Sequence, residues 1–342
     1  MKTNEFDFEL PQDLIAQTPL SDRSASKLLV VHKQSEKIEH TDFKHIADYF
    51  KAGDVLVRNN TEVIPARLFG IKEETGAHVE LLLLKQEDDI WECLTGNARV
   101  VKIGSIISFH EGELRAECIG IGEKGIRTFR MIYDGIFFEI LEKLGQMPLP
   151  PYIHEKLEEK NRYQTIYAQV KGSAAAPTAG LHFTDEVFKQ LTDKGVIITE
   201  ITLHVGLGTF RPMDTETIEE HIMHSEAYIM SNETAAILNQ AKKDNRRIIS
   251  VGTTSTRTLE TIYKKYQQFQ ACSGETDIFI YPGYKWEAVD CIITNFHLPK
   301  STLIMMISSF ASKPLIFEAY QQAIEQRYRF FSFGDSMMIS ND

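Results

Sequence analysis

Imidazole, hydroxyl and guanidinium side chains recur on five loops of this sequence, and each loop lies beside a short apolar run or a helix signal. The stretch SAAAPTAGLHFT (173–184) is built of small residues and sets His182 just ahead of a helix, with Thr178 and Gly180 close by. Small residues let a backbone approach a ligand, and a histidine at a helix N-terminus is pushed toward its neutral, proton-accepting form. The second loop, HVGLGTFRP (204–212), carries His204, Gly206, Gly208 and Arg211. Its glycines permit a sharp bend facing a substrate, but without a third glycine and a following helix it is no dinucleotide fingerprint. In VGTTSTR (251–257), Thr253, Thr254, Ser255 and Arg257 open a helix after a buried strand, an arrangement suited to phosphate, carboxylate or ribose hydroxyl groups. PGYKW (282–286) is the fourth loop, and NFHLPKS (295–301), with Asn295, His297 and Lys300, is the fifth.

Two further clusters have weaker chemical meaning. EEHIMHSE (219–226) holds His221, His224 and Glu226, but the i, i+3 histidine spacing is not a zinc-helix pattern and no third ligand is identifiable, so no metal is expected. RYRFFSFGD (327–335) interleaves Arg327 and Arg329 with aromatics, which suits either nucleotide stacking or a terminal strand packing its rings.

The elements that must position these groups fall into two regimes. From 62 to 150 the segments are short and β-branched, as in HVELLLLK and IWECL, and only FFEILEKLG reads as a helix, ending at Gly145. That is an inserted all-β barrel or sandwich, closed by the stiff connector QMPLPPY. Residues 1–61 and 151–342 form the second regime. LLVVH and DVLVRNN read as strands there, and strand, polar loop and helix alternate through VIITEITL, RIISVG, DIFIY and CIITN. The expected fold is therefore α/β: a larger, barrel-like, mostly parallel α/β domain with a smaller β-barrel domain inserted. In such folds sites lie where strands lead into helices, which is where the five loops fall.

A formal net charge of -11 provides no general attraction for nucleic acid or membrane, so an anionic partner must meet a local patch. The acidic start MKTNEFDFEL is unlike a signal peptide, and the longest apolar run is short of the ~20 residues a span needs. Four scattered cysteines without a CxxC pair fit reduced thiols. A cytoplasmic protein without membrane contact is expected.

The ordered motifs resemble those of the S-adenosylmethionine:tRNA ribosyltransferase-isomerases of queuosine biosynthesis. The resemblance runs nearly end to end, through LIAQTPLSDRSASKLLVV, NNTEVIPARLFG, QMPLPPYI, RYQTIYA, SAAAPTAGLHFT, TLHVGLGTFRPM, EEHIMHSE, VGTTSTRTLE, DIFIYPGY, TNFHLPKSTL and YRFFSFGDSMMI. It departs at Asn60, Thr61 and Glu62, where that family often has Asn-Asp-Thr and a basic residue. The resemblance implies transfer and isomerisation of the ribosyl part of S-adenosylmethionine onto 7-aminomethyl-7-deazaguanine at the wobble position of a tRNA with a GUN anticodon. Epoxyqueuosine tRNA, adenine and methionine would be the products. S-adenosylmethionine would be consumed as a ribosyl donor, with no cofactor, by a monomer or weak homodimer.

That chemistry asks for a base at C5' and an acid for adenine. His182 or His204 is expected to be the base, with Glu226 orienting or sharing a proton. Substrate contacts are expected from Thr178, Gly180, Gly206, Gly208, Arg211, Thr253, Thr254, Ser255, Arg257, Asn295 and His297. RNA phosphates are expected at Arg67, Lys300, Arg327 and Arg329. Two other classes fit the residues without the resemblance: a sugar-phosphate aldolase or isomerase using Lys300 as a Schiff-base lysine, and a non-catalytic RNA-binding protein.

Overall fold

The structure is a computed structural model that describes residues 1–155, 157, 159–206, 213 and 215–341. The chain divides into two compact units: Met1–Thr61, Pro150–Val170 and Ala176–Asp342 form the larger, and Glu62–Leu149 with Lys171–Ala175 form the smaller. The short return of Lys171–Ala175 to the smaller unit has no counterpart in the sequence-based boundaries of 62 and 150.

In chain order the strands and helices are β1 (Lys27–His32), β2 (Ile38–Asp42), β3 (Val55–Asn59), β4 (Thr61–Val63), β5 (Arg67–Lys72), β6 (His78–Glu87), β7 (Ile90–Gly96), β8 (Ile106–Phe109), β9 (Leu114–Ile121), β10 (Ile126–Tyr133) and α1 (Phe137–Leu144). They continue with β11 (Val170–Ser173), α2 (Asp185–Asp193), β12 (Ile197–Leu203), β13 (Glu226–Met230), α3 (Asn232–Lys243), β14 (Ile248–Val251), α4 (Gly252–Tyr266), β15 (Cys272–Thr276), β16 (Cys291–Asn295), α5 (Thr302–Phe310), α6 (Lys313–Glu325) and β17 (Ser336–Ser340).

The smaller unit is a closed barrel of order β10-β7-β6-β5-β8-β9. Its strands are antiparallel, and side chains along β5 and β9 alternate between buried and solvated, the period of two that a one-sided sheet imposes. Leu68, Leu81, Trp91, Ile107 and Phe129 fill its interior, and α1 adds Phe137 and Leu141 to the same core.

The larger unit holds a nine-stranded sheet of order β15-β13-β12-β3-β14-β16-β17-β1-β2. Its centre is buried on both faces, so β14, β16 and β17 are buried at every residue and read as unbroken apolar or small runs. The α/β class and the small closed barrel agree with the sequence. The expectation of a mostly parallel, barrel-like large sheet is corrected: it is mixed. β3 pairs parallel with β12 and β14, β14 with β16, and β1 with β17, whereas β2, β13, β15 and the β16/β17 pair run antiparallel. The causes are the last strand, which inserts between β16 and β1 and runs antiparallel to β16, and the antiparallel strands at both edges, of which β1 and β2 form a hairpin.

Two local expectations also change. DIFIY forms no strand; the strand there is β15, immediately before it. RYRFFSFGD is not strand but the turn leading into β17, with Phe331 in the left-handed region at φ 70°. Its rings are core. Tyr328, Phe330 and Tyr320 pack edge-on or tilted around Phe296, whereas Phe331 lines the cavity described below.

Candidate functional site

A cavity of about 680 Å³ lies in the larger unit at the ends of β14 and β16. One wall is the small-residue stretch: Ala176, Pro177, Thr178 and Ala179 all face it. Side chains this small leave the backbone exposed to whatever fills the space. Opposite, β14 passes directly into α4 through Gly252, whose φ of 83° belongs to the region that glycine alone enters cheaply. The turn brings Gly252, Thr253 and Thr254 to the cavity with the unbonded N–H groups of the helix start. Thr294, Asn295 and His297 close a third side from the end of β16, and Tyr152 and Phe331, with rings 4.8 Å apart, form an aromatic side.

Asn295 is the junction of the site. Its Oδ1 accepts from Thr178 Oγ1 at 3.0 Å, and its Nδ2 donates to the Phe331 carbonyl at 3.2 Å and to His182 Nε2 at 3.1 Å. An amide donating to Nε2 fixes the tautomer: His182 carries its proton on Nδ1 and directs it to Ser26 Oγ, 2.8 Å away. Ser26 Oγ passes its own proton to the Arg23 carbonyl at 3.2 Å. Burial pushes His182 down to about 3, and the charges of Arg23 and Arg329 add to the shift. The histidine is neutral as the sequence suggested, but burial rather than a helix end is the cause, since it closes a single 3-10 turn over Thr178–His182.

His297 faces the cavity directly. Its Nε2 lies 2.8 Å from Thr294 Oγ1, its backbone N–H donates to Tyr320 Oη at 2.8 Å, and burial pushes it down to about 3. His204, at the end of β12, is partly buried, has Nδ1 2.8 Å from Thr61 Oγ1, and is lowered by burial; it does not line the cavity.

Glu226 and Arg257 form an ion pair 4% and 5% exposed, in which Arg257 Nη1 donates to Glu226 Oε2 while the Gly206 N–H donates to Oε1 at 3.0 Å. Both stand behind the lining residues, as does the fully buried Ser255. Gly180 is not a lining residue either: a Cβ there would meet Tyr167 Oη at 2.0 Å, so its bareness accommodates a tyrosine. Gly208 and Arg211 lie outside the described residues. The PGYKW loop also stays away from the cavity, with Tyr284 Oη donating to Glu260 at 3.1 Å.

Three of the four residues expected at RNA phosphate stand in partly exposed ion pairs. Lys300 pairs with Asp7 at 2.8 Å and Arg327 with Asp13 at 2.5 Å. In the smaller unit Arg67 pairs with Glu80 at 2.6 Å. Arg329 donates to the Thr18 carbonyl and has a buried Nη1 without a partner. Among the described residues no cluster of three His, Cys, Asp or Glu side chains suits a metal ion, and no single helix is long and apolar enough to cross a membrane. The four cysteines are free thiols.

Sequence reasoning missed Tyr152, Phe331 and Ser26. Tyr152 sits in the Pro-rich connector and Phe331 in the aromatic run, so both lay in stretches that had been noticed for other reasons.

Comparison with known proteins decides what this site belongs to. Residues 3–339 match the model of the queuosine biosynthesis protein family. The chain belongs to that family. Among solved structures, the S-adenosylmethionine tRNA ribosyltransferase from Thermotoga maritima is 39% identical, with a TM-score of 0.57 over 98% of this chain and 99% of that one. This queuosine-family chain thus shares its whole length with the Thermotoga enzyme rather than a single motif.

Proposed function

We propose that the chain is an S-adenosylmethionine:tRNA ribosyltransferase-isomerase. It moves the ribosyl group of S-adenosylmethionine onto 7-aminomethyl-7-deazaguanine at the wobble position of a tRNA with a GUN anticodon, and yields epoxyqueuosine tRNA, adenine and methionine. The observation that carries this reading is the 680 Å³ cavity in which a neutral imidazole, His297, faces a hydroxyl-rich helix start. A single unstacked base and a sugar are the kind of ligand that such a partly open, partly aromatic pocket takes.

The sulfonium of S-adenosylmethionine acidifies its C5' hydrogens, and a positioned neutral base removes one of them. Adenine then leaves across the ribose with a proton delivered to its ring. The amine of the modified base attacks the sugar fragment, and epoxide closure expels methionine. His297 is the base in this reading: it lines the cavity, is kept neutral by burial, and has Nε2 beside the Thr294 hydroxyl. His182 instead positions Asn295, because both of its nitrogens are occupied. Thr253, Thr254 and Thr178 meet the ribose hydroxyls, and Tyr152 with Phe331 flanks a planar base. The Glu226–Arg257 pair holds the backbone at Gly206. No cofactor takes part, because the sulfonium itself is the activating group. The enzyme works in the cytoplasm as a monomer or weak homodimer.

The test is a pair of labels. S-adenosylmethionine labelled in its ribose should leave label in the tRNA after incubation with the protein, and S-adenosylmethionine labelled in its methyl group should not. Methyl label in the tRNA would overturn the reading.

A further inference from the structure

Two stretches remain without a role in this chemistry, SDRSAS (21–26) and RYQTIYA (162–168), and the structure brings them together. Arg23 Nη1 donates to the Gln164 carbonyl at 2.8 Å and Nη2 to the Asn161 carbonyl at 2.9 Å. Arg162 returns the contact, donating from Nη1 to the Ser21 carbonyl at 3.2 Å and from Nη2 to that of Leu20. Between them is a second cavity, of about 310 Å³, into which Arg23, Arg162, Ser26 and Ser332 face.

This cavity is the middle of three. It shares Ser332 with the 680 Å³ cavity on one side. On the other it shares Pro19, Leu20, Arg162 and Phe333 with an outer cleft of about 1060 Å³. The 310 Å³ cavity thus lies between the outer cleft and the 680 Å³ cavity, with Arg162 at one boundary and Ser332 at the other.

Charge around this cavity is unusual for this acidic chain. Among the described residues Arg23, Arg162 and Arg329 have no carboxylate within ion-pair distance, whereas Arg67, Lys300 and Arg327 each have one. Their donors go to backbone carbonyls, and the Asp335 carboxylate offsets part of the charge of Arg329 alone. Arg23 and Arg162 repel one another, and Arg23 and Arg329 both press on His182. The nearby acids are accounted for. Asp22 accepts from Ser24, Asp335 accepts from the backbone N–H groups of Lys27 and Arg329, and Glu155 and Glu159 line only the outer cleft. Half-buried guanidinium groups held together without a counter-ion are a site for an oxyanion.

We propose that the 310 Å³ cavity seats the backbone phosphodiester next to the target nucleotide, with Arg23 and Arg162 donating to it and Arg329 contributing charge from behind His182. The proposal rests on the function argued above, since it needs the nucleotide in the 680 Å³ cavity. The RNA strand would run through the outer cleft, and its phosphate would register the base against Asn295.

The test is binding of tRNA carrying 7-aminomethyl-7-deazaguanine, followed by fluorescence anisotropy over a series of KCl concentrations, for the wild-type chain and for Arg162→Gln, Arg162→Lys and Arg329→Gln. Thermal melts identify variants that stay folded, and Arg329→Gln, which gives up one carbonyl contact, keeps the test alive if Arg162→Gln does not. Losing one phosphate contact should lower the slope of log affinity against log salt by about 0.7 to 0.9 and weaken binding several-fold at low salt. Arg162→Lys should retain most of the slope, and S-adenosylmethionine affinity should stay within about two-fold of wild type in all three. An unchanged slope in the folded glutamine variants would overturn the proposal. So would a loss of S-adenosylmethionine affinity with tRNA binding intact, which would assign the cavity to the cosubstrate's carboxylate. Failure of the wild-type chain to bind this tRNA would overturn the proposed function itself, and this inference with it.

Discussion

Acid should destabilise the larger unit through two histidines in particular. His182 and His297 are both held near a pKa of about 3 by burial, against a usual value of 6.5. Above pH 6.5 each is neutral whether the chain is folded or not, and nothing is lost. As pH falls below 6.5 the unfolded chain takes up protons that the folded chain refuses, so stability declines until pH reaches about 3. The linkage relation makes the loss about 2 kcal/mol per histidine at pH 5, or about 4 kcal/mol for the pair. Carboxylates contribute to acid sensitivity as well, so the histidine share is isolated by difference. Urea unfolding at pH 8 and pH 5, followed by far-ultraviolet circular dichroism, gives the loss for the wild-type chain and for His297→Gln. The variant should lose about 2 kcal/mol less than wild type between the two pH values, whatever the substitution costs at pH 8. Equal losses in the two proteins would refute the neutral, buried state of His297, and with it the assignment of a proton-accepting imidazole facing the cavity.

Three substitutions probe the rest of the site. Glu226→Gln strips a buried guanidinium of its counter-charge and should cost about 3 to 5 kcal/mol in urea unfolding, whereas an exposed pair would cost under ~1 kcal/mol. Gly180→Ala places a Cβ 2.0 Å from Tyr167 Oη and should destabilise by about 1 to 3 kcal/mol, with part of that recovered when Tyr167→Phe is added, since Thr165 Cγ2 still lies 2.9 Å away. Asn295→Ala releases Thr178 and His182 together and should reduce single-turnover transfer on the order of 10²-fold while the melting curve stays cooperative. Full activity in Asn295→Ala would remove it from the centre of the site.

Much of the scaffold was legible because it depends on local patterns. The helix expected just after His182 is α2, and the Thr184 hydroxyl caps it by accepting from the Val187 N–H at 3.3 Å. VGTTSTR was readable as strand, glycine turn and helix start because all three signals lie within seven residues, and Thr253 and Thr254 do reach the cavity. Roles that depend on distant partners were not legible. Nothing near His182 announces Ser26, 156 positions away, or Asn295, 113 away, yet those two side chains decide its tautomer and deny it an open nitrogen. The same is true of the basic residues. Lys300 and Arg327 have Asp7 and Asp13 beside them, partners far off in sequence, while Arg23 and Arg162 have no marked local context and donate to backbone carbonyls. The large sheet's mixed character was hidden for a related reason: apolar runs such as CIITN and SMMIS look alike whether their neighbours run parallel or antiparallel.

The sugar of S-adenosylmethionine, and not its methyl group, is the part this protein transfers. Purified protein incubated with S-adenosylmethionine and tRNA carrying 7-aminomethyl-7-deazaguanine should release free adenine and free methionine in equal amounts, detected by mass spectrometry, and neither should appear when that tRNA is left out. Release of S-adenosylhomocysteine, or of adenine and methionine without regard to the tRNA, would contradict it.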